Sequence, residues 1–287
     1  MNPASHPTAT LRLILLATPL LLGSCSAWDG KRASLKAKPD YRTVPVTVLY
    51  NQAVNDMEAQ DYKKAAEKFA AVEENYPYSS WAVHAELMRG YAQYKNADYT
   101  GAVGSLDRFI QLHPANREIA YAYYLRALCY YQEIEGVSRD QTATRDAVIA
   151  LSEVVNRFPG SAYARDARLK IDLARDHLAG HEMAIGRYYE QQHFYAAALG
   201  RYQEVVHRFQ TTNHVAEALA RIVEVDLKLG LVGEAKKNAA VLGYNYPGSH
   251  WYKVAYDELA QSGGVPGVAS PKGGRPGFFG TIVNAIF

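Results

Sequence analysis

Residues 75–82 read NYPYSSWA, and four later stretches return to the same plan. These stretches are LHPANREIA at 112–120, RFPGSAYA at 157–164, RFQTTNHVA at 208–216 and NYPGSHWY at 245–252, and all but the fourth contain a proline. Proline cannot continue the hydrogen-bond ladder of a helix, and a Ser or Asn just after it can cap the next helix. Each stretch therefore predicts the end of one helix and the start of another.

A row of apolar positions precedes every one of these boundaries. A small residue is followed at i+4 and i+7 by further apolar residues, which is the spacing of one helix face. The small residues are Ala65, Ala102, Ala147, Ala198 and Ala235; the next positions are Phe69, Leu106, Leu151, Tyr202 and Ala239, and then Val72, Phe109, Val154, Val205 and Leu242. Five such units in register indicate the tetratricopeptide (TPR) repeat, whose basic period is about 34 residues.

We therefore predict an all-α fold, a right-handed TPR solenoid of about five helix-pair repeats over residues 45–260. Residues 45–158 would form the N-terminal repeats and residues 159–260 the C-terminal repeats. In the third unit, Gly136, Ser138 and Asp140 predict a loop inserted between its two helices. In the fourth, a long helical stretch is expected to be interrupted at Gly180.

The N-terminus has the pattern of a bacterial lipoprotein signal. LILLATPLLL at 13–22 is too short to span a bilayer but suits the apolar core of a secretory signal. Leu22-Gly23-Ser24-Cys25 resembles a lipobox, which implies a signal peptide at 1–24, acylation of Cys25 and a linker at 25–44. Ser26 implies sorting to the outer membrane by resemblance to other lipoproteins. The alternative is an ordinary secretory peptide with a chance cysteine.

Charge and composition exclude some classes of partner. The formal net charge is +2, and +1 once residues 1–24 with their single charge, Arg12, are removed. Nucleic-acid-binding proteins usually carry a basic patch or stripe, so no nucleic-acid partner is expected. The second cysteine, Cys129, lies in an apolar helical stretch and is expected to be a small core residue.

Catalytic motifs are missing or weak. The chain contains no G-x-S-x-G, Walker A or H-E-x-x-H sequence. His177 and His181, with Glu182 adjacent, would share a helix face suited to zinc, but no third ligand is apparent nearby. We therefore expect no enzyme activity and no metal. The only bound groups expected are the covalent diacylglycerol and the N-acyl chain on Cys25.

A groove between helix pairs is the better candidate for function. Tyrosine presents an apolar ring and a polar tip, and arginine can pair with a carboxylate, so both suit the binding of extended peptides. We expect two of five candidate side chains to face a ligand and the others to pack in the core. The candidates are Tyr62, Arg89, Tyr91, Tyr94 and Tyr99.

The tail at 261–287 differs from the rest of the chain. It begins Gly/Pro/Ser-rich and ends in PGFFGTIVNAIF at 276–287, whose apolar residues would fall on one helical face. Three interpretations stay open: a short segment that docks on a partner or membrane, an inert end, or a segment whose terminal Phe287 occupies the protein's own groove.

GYAQYKNADYTGAV followed by LDRFIQLHP resembles the second repeat of the BamD family of TPR lipoproteins, also called YfiO or ComL. GVSRDQ in the third-repeat insertion, HEMAIGRYYEQQHFYAAALGRY in the fourth repeat and LGYNYPGSHWY near the end are similar as well. With the lipobox, the likeness runs from about Cys25 to about residue 260.

The resemblance implies an outer-membrane lipoprotein that faces the periplasm, a non-enzymatic component of the β-barrel assembly (BAM) complex. Such proteins bind the POTRA region of BamA, act with other Bam lipoproteins and help recognise C-terminal β-signals of unfolded outer-membrane proteins. The five groove candidates would lie near the substrate pocket. Arg201 would contact BamA, where its guanidinium can pair bidentately with a POTRA carboxylate.

Two rival interpretations remain at this point. Another periplasmic TPR lipoprotein, such as a scaffold for cell-envelope or peptidoglycan machinery, would share the solenoid but not the second- and fourth-repeat matches. An enzyme would need a convergent polar site that the sequence does not show.

Overall fold

A computed structural model describes residues 40–263, and all regular structure there is helical, which confirms the predicted all-α class. The predictions for the signal peptide, Cys25 and segment 264–287 lie outside the described residues. Within residues 40–263 no helix is both long and apolar enough to cross a membrane. The helices are α1 (Val46–Glu58), α2 (Tyr62–Asn75), α3 (Ser80–Lys95), α4 (Tyr99–Leu112), α5 (Ile119–Gln132), α6 (Thr142–Arg157), α7 (Ala162–Gln191), α8 (Tyr195–Arg208), α9 (Val215–Lys228), α10 (Val232–Asn245) and α11 (His250–Gln261).

The helices form five consecutive pairs and one further helix. We call the first helix of each pair, and α11, the A helices, and the second helix of each pair the B helices. Substantial contacts join helices one or two places apart in the chain. This nearest-neighbour packing of helix pairs is the TPR solenoid that the repeats predict.

The predicted apolar face of each B helix is its core face. Ala65, Ala102, Ala147, Ala198 and Ala235 are fully buried, and so are the five residues predicted at i+7. The alanines let neighbouring helices approach closely, while the larger side chains fill the space between pairs. Cys129 is fully buried too, as predicted, and burial raises the pKa of its thiol to about 12.

Side-chain caps begin several of the helices. Ser79, Ser161 and Ser249 start α3, α7 and α11, and each hydroxyl accepts a hydrogen bond from the backbone N–H three residues on. Asp61 and Asp98 start α2 and α4 in the same way. Such caps satisfy helix N–H groups that have no partner within the helix.

The predicted insertion in the third pair is a loop, residues 133–141, between α5 and α6. Gln141 is 1% exposed, and its amide nitrogen donates to the carbonyl oxygens of Gly136 and Arg139 at 3.2 and 3.0 Å. Its amide oxygen accepts from the Thr144 hydroxyl at 2.9 Å. A buried and satisfied glutamine therefore fixes the shape of this loop.

The interruption predicted at Gly180 is wrong, because α7 runs unbroken from Ala162 to Gln191. A Cβ at Gly180 would lie 3.3 Å from His214 Nε2 and 3.5 Å from Val137 Cγ1. The glycine therefore leaves room for the inserted loop and the start of α9 to approach the helix, instead of breaking it.

Candidate functional site: a tyrosine row on the A helices

Half-buried tyrosines lie on three consecutive A helices, and those of α5 and α7 contact one another. On α5, Tyr121 and Tyr124 are three residues apart and so share one helix face. Tyr163 of α7 lies against both, with ring centroids 5.7 Å from Tyr121 and 5.2 Å from Tyr124. On α3, Tyr94 accepts a hydrogen bond from Gln132 of α5 at 3.2 Å. We call Tyr91, Tyr94, Tyr121, Tyr124 and Tyr163 the tyrosine row.

Polar partners hold the row on its α7 side. The Tyr124 hydroxyl donates to Asp166 Oδ2 on α7. Lys170 lies 3.4 Å from the same carboxylate, and its ammonium lies 5.2 Å from the centroid of the Tyr131 ring. The row therefore continues into a charged pair that can meet polar groups of a ligand.

The hydroxyls of Tyr121 and Tyr124 stay protonated. Burial raises the pKa of Tyr121 well above its usual value, and neighbouring tyrosines, first Tyr91, raise it further. Burial also raises the pKa of Tyr124, and its hydrogen bond to Asp166 adds to the effect. Near neutral pH these side chains offer neutral O–H groups beside apolar rings, which suits binding more than acid–base chemistry.

Three of the five groove candidates from the sequence lie together. Tyr91, Tyr94 and Tyr99 pack against the core formed by Leu87, Ala102, Leu106 and their neighbours, and the rings of Tyr94 and Tyr99 are 5.9 Å apart. Tyr62 lies at the start of α2, where the Lys95 ammonium is 5.5 Å from its ring centroid.

Arg89 lies apart from these tyrosines. It is two positions before Tyr91, which places it about 200° around the helix. Its guanidinium is 3.4 Å from Glu73 of α2, in a pocket of about 200 Å³ that is also lined by Glu86 and Arg108. Burial raises the pKa of Glu73 to about 7 against the lowering effect of Arg89. The candidate set is therefore divided between two surfaces.

Sequence reasoning missed Tyr121, Tyr124 and Tyr163. A signal was present, because an aromatic residue stands two positions after each serine cap, at Trp81, Tyr163 and Trp251. The first of these repeats the contact made by Tyr163, since its ring lies 4.8 Å from Tyr50 of the preceding A helix.

Arg201 of α8 is 42% exposed and is held by Glu182 of α7, with Nη1 2.9 Å from Oε2. This hydrogen bond raises the pKa of the guanidinium, which is charged throughout. Tyr189 is a second hydrogen-bond partner of the guanidinium. The exposed part of the side chain can still meet a second carboxylate.

The two histidines with zinc-like spacing have other surroundings. His181 Nδ1 bonds the Val137 carbonyl of the inserted loop, and His177 Nε2 is buried without a hydrogen-bond partner. Among residues 40–263 no three His, Cys, Asp or Glu side chains are grouped as a metal site would need.

A described family and several individual proteins are similar to this chain. The family described as YfiO, outer membrane lipoprotein, matches residues 42–242. The outer membrane protein assembly factor BamD of Caulobacter vibrioides is 45% identical over 269 residues, covering 94% of this chain and 86% of the relative. BamD of Rickettsia prowazekii is 45% identical over 244 residues, covering 84% and 93%. Among solved structures, the TPR2AB-domain:pHSP90 complex of yeast Sti1 is similar over 76% of this chain and 83% of that chain, at 14% identity and a TM-score of 0.40.

Proposed function

The chain belongs to the BamD (YfiO) family of outer membrane lipoproteins, and we propose on this premise that it helps assemble β-barrel proteins in the outer membrane. As an outer membrane protein assembly factor it is a component of the BAM complex, alongside BamA and other Bam lipoproteins. It acts there as a non-enzymatic scaffold, anchored by acylated Cys25 on the periplasmic face. Two or more acyl chains give durable membrane attachment, which one chain does not.

In this proposal the tyrosine row binds extended segments of unfolded outer-membrane proteins. A barrel strand before insertion exposes alternating aromatic and polar residues and an unpaired backbone. Tyrosine rings cover apolar side chains, and their neutral hydroxyls pair with backbone groups. The observation that carries the proposal is the contact of Tyr163 with Tyr121 and Tyr124, which joins neighbouring A helices into one binding face.

The five groove candidates would contact different parts of the substrate. Tyr91, Tyr94 and Tyr99 extend the face toward the second repeat, and Tyr62 flanks it on the first. Arg89, on the other side of α3, would meet a different part of the substrate.

The C-terminal repeats bind BamA in this proposal, through Arg201. Glu182 holds the guanidinium in place, so less freedom is lost when a POTRA carboxylate pairs with its exposed part. Separate surfaces for substrate and for BamA would let one scaffold hold an unfolded chain beside the insertion machinery and so raise its local concentration there.

Site-specific crosslinking in intact envelopes tests the proposal. A photoreactive residue at Tyr94 or Tyr124 should trap unfolded barrel proteins while they are being assembled. The control is the same residue at Tyr78, which is fully exposed and lies outside the row. Equal trapping at Tyr78, or trapping of peptidoglycan enzymes in place of barrel proteins, would overturn the assignment of the row.

A further inference from the structure

The residue that directly precedes the B helix is acidic in the first two pairs and apolar in the fourth and fifth pairs. In the first two pairs the B helix begins after Asp61 or Asp98, and each aspartate caps the helix. In the fourth and fifth pairs the same position holds Phe194 or Leu231, and neither side chain makes a cap. Two helices thus forgo a stabilising hydrogen bond and place an apolar side chain there.

These apolar residues are exposed and lie on neighbouring turns. Phe194 is 61% exposed, Leu231 46% and Leu229 40%. The end of α9 lies beside the α7–α8 turn, because Lys228 Nζ is 2.9 Å from Glu190 and 5.4 Å from the Tyr195 ring centroid. We call Phe194, Leu229 and Leu231 the apolar edge. Contiguous exposed apolar surface is typical of docking sites.

The described part of the chain ends at this same edge. α11 packs against α9 and runs parallel to it. Near the start of α11, the Trp251 ring lies 5.7 Å from Arg221 of α9. Seven residues after Trp251, Glu258 interacts electrostatically with Glu224 and Lys228, which are farther along α9. Gly263 has φ +72° and so repeats the turn of Gly230, with φ +75°. The described chain therefore ends at a position equivalent to Gly230, which directly precedes Leu231.

The sequence beyond Gly263 matches the edge in chemistry and in reach. Residues 278–287 read FFGTIVNAIF, with no charged side chain. Packed helices lie about 8–10 Å apart, so two helix spacings separate the chain end from Phe194 by about 20 Å. The intervening residues 264–277 can span up to about 50 Å. A segment on the same chain also has a high effective concentration at the edge.

We propose that the apolar edge binds this chain's own C-terminal segment, residues 278–287. The segment covers Phe194, Leu229 and Leu231 and removes apolar surface from water on both sides of the contact. The contact lies in the C-terminal repeats, so it leaves the tyrosine row open, and it goes beyond the assembly role proposed above.

Hydrogen exchange of the acylated full chain in lipid nanodiscs tests the contact. We expect amides of 278–287 to exchange about ten-fold faster in the double variant Phe194→Asp/Leu231→Asp than in the unaltered chain. The two aspartates restore the caps seen at Asp61 and Asp98, so this variant keeps its fold. The control Ile149→Asp alters a residue of α6 that is 68% exposed and should leave the exchange unchanged. Equal exchange in the double variant and the unaltered chain would overturn the proposal.

A photoreactive residue at Leu231 separates the possible occupants. A crosslink to residues 278–287 within one chain, with a yield independent of dilution, supports the proposal. Crosslinks between chains would identify a second copy as the occupant, and crosslinks to lipid alone would identify the membrane; either result refutes it.

Discussion

The Tyr202 hydroxyl donates a hydrogen bond to Glu190 across 2.8 Å, and both side chains are buried between α7 and α8. Burial, and then this bond, raise the pKa of Tyr202 far above its usual value. Glu190 also accepts from Lys228 of α9 at 2.9 Å. One carboxylate thus ties three helices together, and the tyrosine ring lies directly over Gly186.

Gly186→Ala should therefore destabilise the C-terminal repeats. A Cβ there would lie 2.4 Å from Tyr202 Cε1, and overpacking of this kind costs about 1–3 kcal/mol. The measurement is the midpoint of urea denaturation. Gly200→Ala on α8 is the matched control, because its Cβ meets no heavy atom within 4 Å, and it should stabilise by up to about 1 kcal/mol. Identical shifts in the two variants would contradict the tight contact.

Glu73 should make stability depend on pH. Its pKa is raised to about 7, chiefly by burial, so the folded chain favours the protonated carboxyl. Its contribution is then fully present below about pH 4.5 and is lost as pH rises through about 7. Glu73→Gln should be more stable than the unaltered chain by about 1–3 kcal/mol at pH 8 and nearly equal at pH 4, with partial exposure lowering the figure. Thermal unfolding at both pH values measures this difference in stability, and Glu67→Gln, at an exposed position, is the control. A stability difference that is the same at pH 4 and pH 8 would rule out the role of Glu73.

Arg201→Glu should weaken copurification with BamA several-fold. The substitution places a carboxylate beside Glu182 and removes the donor for a POTRA carboxylate. Arg208→Glu is the control on the same helix, because Arg208 is 70% exposed and its ion pair with Glu204 is local. Pull-down from solubilised membranes measures the effect, and undiminished BamA in the Arg201→Glu sample would refute the contact.

Cys25→Ser should abolish acylation and release the chain from the membrane fraction. Metabolic labelling with palmitate, followed by fractionation, measures both effects. Ser26→Ala leaves the thiol in place and should keep the label. Label retained by the Cys25→Ser chain would show that the lipobox assignment is wrong.

The sequence predicted the packing better than the site. Spacings of four and seven residues after Ala65 and its equivalents specify the buried face, because any other face would leave large apolar side chains in water. The same periodicity does not show which exposed positions meet the neighbouring A helix, so Tyr121 and Tyr124 were missed. Arg89 and Tyr91 are two residues apart on one helix, so helix geometry alone predicts that they point to different sides of α3. The prediction of a helix break at Gly180 was wrong because the glycine allows a close contact with neighbouring segments and does not end the helix.

The core of this chain is divided into separate clusters, each shared by adjacent helices. A change that destabilises the last helices therefore does not directly destabilise the first helices, which have a core of their own. Unfolding of such a chain can begin at one end and stop part of the way along. In a protein built in this way, the repeats at one end can unfold while the repeats at the other end stay folded and keep their binding surface.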